Sequence, residues 1–348
     1  MHMSDALISP AVGAVLWAGA AGVTAYCVRK ISKEDLIEGK KVPMMGVMGA
    51  FVFAAQMLNF TIPGTGSSGH IGGGLLLAAM LGPEAAFLTM FVILASQALF
   101  FADGGLLALG CNIINMGFFS CFVAYPLLFK PLLTKSPSPG RIVLSSILTV
   151  VVGLQMGAFG VVLETLLSGR TELPFGTFVL LMQPIHLAIG LGEGLITAAV
   201  LVFLHRVEPQ SVASLQTQAV TGGFPKRAVA AVALLAVLSG SVLSWFASTH
   251  PDGLEWSILN VTGSTELEST DGVRTALADV QSKTAFMPDY APKTAQEVST
   301  TEDGAASWPA IDAGTSAAGI VGSVITLALA GAVGLLLYLP KRRRKQSA

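Results

Sequence analysis

Long runs of uncharged apolar residues are the feature that most constrains this sequence. Several extend for about 18 residues or more, the length that a helix needs to cross a hydrocarbon core of about 30 Å. Hydrophobic residues make up 53% of the chain and charged residues only 12%. Because backbone groups in a bilayer must bond to each other, such runs are typical of helices. We therefore predict an all-α, polytopic helical membrane protein.

Nine apolar runs are expected to cross the membrane. They lie near residues 7–28, 43–62, 70–82, 85–102, 105–129, 142–167, 176–204, 228–247 and 317–339. The clustered Lys and Arg residues lie in four other segments, at 29–41, 130–141, 205–227 and 341–345. Since cytoplasmic loops are enriched in these residues, we predict an N-terminus outside and a C-terminus in the cytoplasm.

Composition divides the chain into three parts. Residues 1–205 are predicted to form a seven-helix core, and residues 206–227, with Gln, Ser, Thr and Gly, a cytoplasmic linker. Residues 228–348 would form a module in which two transmembrane helices flank an extracytoplasmic domain at 248–316. The few large anchors of that domain are Trp256, Tyr290 and Trp308.

Charge and motifs exclude several classes of protein. The formal net charge of −1 offers no basic surface for nucleic acid. The sequence has no G-x-x-x-x-G-K-[ST] motif and no visible Ser-His-Asp or H-E-x-x-H arrangement. We therefore expect that the chain is not an enzyme, and that active transport would need an ATPase on another chain. Cys27, Cys111 and Cys121 lack C-x-x-C spacing and are expected to be buried apolar side chains.

The glycine-rich stretch from Gly64 to Gly74 precedes a run that is short for a membrane crossing. Non-helical backbone at membrane depth persists only where it is buried in protein or lines a cavity. Interrupted helices in transporters lie at substrate sites. This stretch, which contains Ser68 and His70, is therefore a candidate functional site. The alternative is an external turn whose glycines only ease helix packing.

Met1 and His2 form a potential metal chelator. No basic segment precedes the first apolar run, so we expect no cleaved signal peptide and a free amine on Met1. That amine, the His2 amide nitrogen and His2 Nδ1 can close a five-membered and a six-membered chelate ring. A fourth nitrogen in their plane would complete a square-planar site, which suits Ni(II) or Cu(II). His70 is the expected fourth ligand; alternatively, it is a hydrogen-bonded interfacial residue and His2 is incidental.

Other polar side chains interrupt the apolar runs. They are Asn59, Gln97, Asp103, Asn112, Asn115, Gln155, Glu164, Gln183, His186 and Glu193. Such groups usually face the interior of a helix bundle or a cavity. Candidates for orienting the metal ligands are Ser68, Gln97, Asn112, Asn115, His186 and Glu193. The alternative for each of them is hydrogen bonding between helices.

These residues resemble the motifs of the CbiM/NikM family, the substrate-binding components of energy-coupling-factor importers for cobalt and nickel. The matching stretches are Met1 to Met3, Asp5 to Pro10, Gly64 to Gly74, Phe101 to Gly117 and His186 to Thr197. The stretch from His250 to Glu255 is similar to the Pro-Asp-Gly-Leu-Glu motif of the small NikN accessory component. The chain thus resembles a NikMN-type fusion.

The resemblance implies that the Met1 amine, the His2 amide and imidazole, and the His70 imidazole bind the metal. It implies Ni²⁺ as the transported ion, with Co²⁺ for cobalamin biosynthesis as the alternative, and no resident cofactor. The implied location is the bacterial cytoplasmic (inner) membrane. The implied partners are membrane lipid, a transmembrane coupling component and two cytoplasmic ABC-type ATPase subunits. The stretch Ser4-Asp5-Ala6 departs from the commonest family pattern and could alter selectivity.

Two other classes of protein remain open at this point. A metal-gated channel or secondary transporter would move metal without an ATPase partner. A structural membrane protein would carry His2 and His70 incidentally. In a test tube, Cu(II) would bind a four-nitrogen site more tightly than nickel, so selection against copper would depend on availability and redox state.

Overall fold

A computed structural model describes residues 1–33, 41–133, 138–207, 226–267, 272–292 and 309–346. Helices account for most of these residues, and the only strands among them are two of three residues each. The predicted all-α class is therefore confirmed. The predicted linker at 206–227 and Trp308 fall largely or wholly outside the described residues.

Seven helices precede the predicted linker in the described part of the chain. They are α1 (Pro10–Lys33), α2 (Lys41–Gln56), α3 (Gly74–Leu81), α4 (Pro83–Phe101), α5 (Leu109–Leu132), α6 (Pro139–Leu167) and α7 (Phe175–Val207). Four helices follow the linker. They are α8 (Lys226–Gly240), α9 (Gly253–Thr262), α10 (Gly272–Thr284) and α11 (Ala313–Gln346). The seven-helix core and the two-helix module, α8 and α11, agree with the sequence prediction.

The number of full-length crossings is lower than predicted. Among the described residues, six helices are long and apolar enough to span a membrane: α1, α4, α5, α6, α7 and α11. Helices α2 and α8 are apolar but shorter, and α3 has only eight residues. The expectation of nine full crossings is therefore not met by the described residues, because the α2 and α8 runs end early, before a turn and strand or a 3-10 helix, and the α3 run begins late.

The α3 run shows why the length of an apolar run alone overestimates helix length. Its N-cap is Gly73, whose φ of 77° lies in the left-handed region that favours glycine. A Cβ at Gly73 would also lie 2.4 Å from Val52 Cγ1. The helix therefore begins only at Gly74, and the residues before it form a loop held inside the bundle.

A small hairpin leads into that loop. Strands β1 (Phe60–Ile62) and β2 (Ser67–Gly69) pair antiparallel, with Phe60 opposite Gly69 and Ile62 opposite Ser67. The connecting turn contains Gly64 and Gly66, both at positive φ. Since His70 directly follows β2, the hairpin sets the position of its side chain.

The C-terminal module packs on the core. Helix α11 lies along α2, α8 contacts both, α9 packs against α7, and α10 against α4. A Cβ at Gly46 in α2 would lie 3.0 Å from the Leu327 carbonyl oxygen of α11, so the two helices approach closely at a small residue. The predicted part boundaries at 205, 227 and 248 stay predictions. The described residues between α8 and α11 meet the same end of the core as the N-terminus, since Asp252 contacts Met1 and Arg274 contacts Ile8.

Candidate metal site at the N-terminus

The first residues of the chain are folded into the bundle. Met1 is 6% exposed and Met3 is fully buried. The Met3 amide donates to Asn112 Oδ1 at 2.9 Å, and the Met3 carbonyl accepts from the Gly105 amide at 2.9 Å and from Asn112 Nδ2 at 3.2 Å. Asp5 Oδ1 also accepts from the Ala108 amide at 3.0 Å. These bonds hold Met1 and His2 inside the protein.

The three predicted ligand residues lie together. The Met1 amine nitrogen is 3.5 Å from His70 Nε2, and the His2 and His70 rings stack with centroids 5.2 Å apart and planes at 23°. The same amine donates to Asp252 Oδ2 at 2.9 Å. The predicted proximity is therefore present, while the ligand role of these nitrogens stays a proposal.

His70 presents an unprotonated nitrogen to the Met1 amine. Its Nδ1 lies 3.0 Å from the Ile71 carbonyl oxygen, which can only accept a hydrogen bond, so Nδ1 carries the proton. The lone pair is then on Nε2, the atom that faces Met1. Burial, and next the neighbouring N-terminal ammonium, lower the pKa of His70, so the ring is neutral near pH 7, as a metal ligand must be.

A chain of hydrogen bonds fixes the tautomer of His2. The Gly72 carbonyl accepts from Gln56 Nε2 at 2.9 Å, and Gln56 Oε1 accepts from Gln97 Nε2 at 2.9 Å. Gln97 Oε1 then faces His2 Nε2 at 3.1 Å. The Gly72 carbonyl can only accept, so it fixes which atom of the Gln56 amide is the donor, and the Gln56 amide in turn fixes that of Gln97. The Gln97 oxygen therefore faces His2, and His2 Nε2 must donate. The lone pair of His2 is thus left on Nδ1, the nitrogen required for the six-membered chelate ring.

A carboxylate lies opposite His2 Nδ1. Asp103 Oδ1 is 3.3 Å from that nitrogen, and Asp103 Oδ2 accepts from the Tyr290 hydroxyl at 2.5 Å. Burial lowers the pKa of His2, although the Asp103 carboxylate opposes this shift. The ring is therefore neutral, and its Nδ1 lone pair faces Asp103 Oδ1, which is also an acceptor. A cation near them would relieve that contact, and the donor set therefore fits a metal ion.

Glu193 supports the loop that carries His70. Its Oε1 accepts from the Gly73 amide at 2.9 Å, and the side chain is buried within α7. The predicted supporting roles of Gln97, Asn112 and Glu193 are thus consistent with direct contacts to the ligand residues or their loops.

The remaining sequence candidates lie beside the site without contacting the Met1 amine or the His2 ring. Ser68 Oγ donates to the His250 carbonyl at 2.7 Å, and Asn115 Nδ2 donates to Glu164 Oε2 at 2.8 Å. His186 Nδ1 bonds the Met182 carbonyl at 2.8 Å, while its buried Nε2 has no partner among the described residues. Gln155 and Gln183 bond each other's carbonyls between α6 and α7, as the helix-to-helix alternative predicts.

Sequence reasoning missed the contacts of Gln56 and Asp252. Gln56 ends an apolar helix, and that single amide gave no sign of a link to His2. Asp252 lies in the Pro-Asp-Gly motif, which identified a module but did not indicate contact with Met1, 251 residues away. Although burial alone would raise it, the N-terminal ammonium, which also donates a hydrogen bond to Oδ2, holds the pKa of Asp252 well below its usual range.

An acidic cavity leads to the site. Its volume is about 590 Å³, and His2 and His70 form part of its wall. Seven carboxylates line it, and no Lys or Arg does so in the part of the chain that the structure describes. They are Asp5, Asp103, Asp252, Glu255, Glu266, Asp289 and Asp312. Clefts lined by one sign of charge raise the local concentration of counter-ions, so this cavity would attract metal cations.

Side chains alone do not form a recognisable metal cluster. No group of three or more His, Cys, Asp or Glu residues is placed to hold a metal ion within the described ranges. A site here would therefore depend on backbone and terminal nitrogens. The described structure combines apolar spanning helices, a buried N-terminal segment with two neutral imidazoles, and an acidic cavity that leads to them. These features define a class of protein: a multi-pass membrane protein suited to handling metal cations.

Comparison of the sequence with known protein families places the chain within that class. The family model for the cobalt uptake substrate-specific transmembrane region, CbiM, matches residues 2–211, and the PDGLE domain model matches residues 226–339. The chain belongs to the CbiM family. It is therefore a membrane component of nickel and cobalt transport and not an enzyme, as predicted.

One relative matches both parts of the chain, and others match about three fifths of it. A putative fused nickel transport protein NikMN from Archaeoglobus fulgidus is 30% identical over 333 residues, covering 94% of this chain and 96% of the relative. The fused nickel transport protein NikMN from Rhodobacter capsulatus is 30% identical over 227 residues, covering 61% and 64%. A crystal structure of a truncated transition metal transporter has 32% identity and a TM-score of 0.52, covering 60% of this chain and 99% of its own.

Proposed function

We propose that this chain captures Ni²⁺ from the extracytoplasmic side and delivers it to an ATP-driven importer. The ion is bound by the Met1 amine, the His2 amide nitrogen and Nδ1, and His70 Nε2. The single observation that carries this proposal is the approach of the Met1 amine to within 3.5 Å of His70 Nε2.

The hydrogen bonds around the imidazoles support the proposal. His70 is held by a carbonyl, and His2 by the Gln97 amide oxygen, so each ring keeps one lone pair available. Outer contacts of this kind orient metal ligands and set their tautomer. Four nitrogen ligands in one plane suit Ni(II), and the fused relatives from Archaeoglobus fulgidus and Rhodobacter capsulatus are named nickel transport proteins.

Sidedness and partners complete the proposed role. Met1, His70 and Asp252 are in contact, which supports placing the N-terminus, the hairpin and the 248–316 segment on the same, outer side. The C-terminus would then be cytoplasmic. The energy would come from a transmembrane coupling component and two cytoplasmic ATPase subunits, since the sequence has no nucleotide-binding motif.

Cobalt is the second candidate cargo. The family model is described by cobalt uptake, and the cobalt transport protein CbiM from Geobacter sulfurreducens is 27% identical over 261 residues, covering 70% of this chain. Nickel is favoured by the square-planar nitrogen set, because Co(II) has less preference for that geometry than Ni(II).

Metal content after growth in equimolar nickel and cobalt tests the proposal. The full chain is purified by a C-terminal tag, its mass is checked for an unmodified Met1, and bound metals are measured. We expect nickel in wild type, and background levels both in His70→Ala and in a variant with one residue added ahead of Met1.

His250→Ala is the matched control, because that histidine is exposed and its hydrogen bond with the hairpin is made by its backbone carbonyl. It should retain nickel. Nickel at the wild-type level in His70→Ala, or neither metal in wild type, would contradict the proposal. Nickel uptake that survives inactivation of the partner ATPases would instead favour a channel or secondary transporter.

A further inference from the structure

One carboxylate of the C-terminal module reaches the proposed metal site. Asp252 is the N-cap of α9, and its Oδ1 accepts from the Leu254 amide at 2.8 Å and the Glu255 amide at 2.9 Å. Its other oxygen, Oδ2, lies 2.9 Å from the Met1 amine and 3.9 Å from His70 Nε2. One oxygen therefore anchors the side chain to the module, while the other enters the site.

The backbone around Asp252 is tied to the hairpin that carries His70. The Ser68 amide donates to the Pro251 carbonyl at 2.8 Å, and Ser68 Oγ donates to the His250 carbonyl at 2.7 Å. Ser68 lies in β2, two residues before His70. The same strand thus fixes both the imidazole and the carboxylate, so their separation is set by a short, rigid path.

Gly253 lets the module sit directly against α7. A Cβ at this position would lie 2.7 Å from Ile189 Cδ1 and 3.0 Å from His186 Cε1. His186 is 1% exposed and cannot move into solvent. A side chain at 253 would therefore force either these two side chains or the Asp252 loop to shift.

The negative charge of Asp252 gives its contact with the Met1 amine a role when metal is bound. A divalent ion held by three neutral nitrogens and one deprotonated amide leaves the site with a single positive charge, the same charge that the Met1 ammonium carries without metal. A buried charge is costly unless it is paired. Asp252, whose side chain is 14% exposed, is the carboxylate in contact with the amine.

We propose that Asp252 is a positioning residue of the metal site. Its carboxylate holds the Met1 amine beside His70 and supplies the counter-charge to the bound cation without bonding to it. The C-terminal module is thereby part of the metal site. This inference rests on the proposed function and extends it to a residue on a separate part of the chain.

Asp252→Asn tests the role of the charge. Asn is as good an N-cap as Asp, so the fold should be retained and thermal unfolding should match the control. The full chain with its native Met1 is titrated with nickel against a chromogenic chelator. We expect the affinity to fall by about tenfold or more, as when groups that orient ligands are removed. The visible absorption band of square-planar nickel should be unchanged at saturation, because the ligands are intact.

Two further variants complete the experiment. Asp279→Asn removes an exposed carboxylate of α10 that pairs with Lys283 and lies outside the cavity lining, and it should bind nickel as wild type does. Gly253→Ala crowds the loop against α7 without changing charge, so its affinity should fall in the same direction as that of Asp252→Asn.

Wild-type affinity in both Asp252→Asn and Gly253→Ala would overturn the inference, as would a shifted absorption band in Asp252→Asn. If His70→Ala binds no nickel while those two variants bind normally, only this inference fails. If His70→Ala also binds normally, the proposed function itself fails.

Discussion

Replacing Gln97 by Leu should weaken nickel binding although Gln97 is not a proposed ligand. The side chain is fully buried and connects His2 Nε2, at 3.1 Å, to Gln56 Oε1, at 2.9 Å. Leu is similar in size but can neither accept from the imidazole nor donate to Gln56. The substitution therefore leaves His2 free to change tautomer and a buried amide oxygen without its donor.

The magnitude follows from those two losses. A buried polar group left without its partner costs about 1–3 kcal/mol. Removing a group that orients a metal ligand costs about 10- to 100-fold in affinity, which is about 1.4–2.7 kcal/mol. We therefore expect the nickel dissociation constant of Gln97→Leu to rise by about 10- to 100-fold, part of which reflects a His2 tautomer with its lone pair on Nε2.

Competition titration of the purified full chain measures this change, with thermal unfolding recorded on the same samples. Gln155→Leu is the matched control, because it removes a Gln that bonds the Gln183 carbonyl at 2.8 Å between α6 and α7, away from His2. It should lower stability to a similar extent and leave nickel affinity unchanged. Equal nickel affinity in Gln97→Leu and Gln155→Leu would refute the tautomer argument.

Two further predictions concern the loop and the N-terminal segment. Gly73→Ala should lower the free energy of unfolding by about 2–5 kcal/mol, from left-handed strain and from overpacking against Val52. Gly64→Ala, at a similar φ but in open space, should lower it by only about 1–2 kcal/mol. Equal losses in denaturant titrations would rule out the packing contribution. Asn112→Ala should cost about 1–3 kcal/mol and weaken nickel binding, because the Met3 amide loses its buried acceptor. Unchanged affinity by competition titration would show that the hydrogen bonds between Asn112 and Met3 do not position the site.

The sequence by itself determined that the chain lies in a lipid bilayer and which chelate rings its first two residues can form. Uncharged runs long enough for a bilayer required helices, because a single segment satisfies all its backbone hydrogen bonds in lipid only as a helix. Met1 and His2 are adjacent, so the chelate rings that they can form depend only on covalent geometry. For the same reason, the metal hypothesis could be stated before any fold was known.

Only the tertiary structure decided what surrounds those nitrogens. The sequence suggested His70 as the fourth ligand, but it gave no sign of Asp252, which lies 251 residues from Met1, because contacts at such separations arise from packing that no local pattern encodes. The early end of α2 at Gln56 and the late start of α3 after Gly73 have the same origin. Hydropathy measures the preference of a segment for lipid, whereas the bond from Gln56 to Gly72 and the approach of Asp252 to Met1 depend on how separate segments fit together.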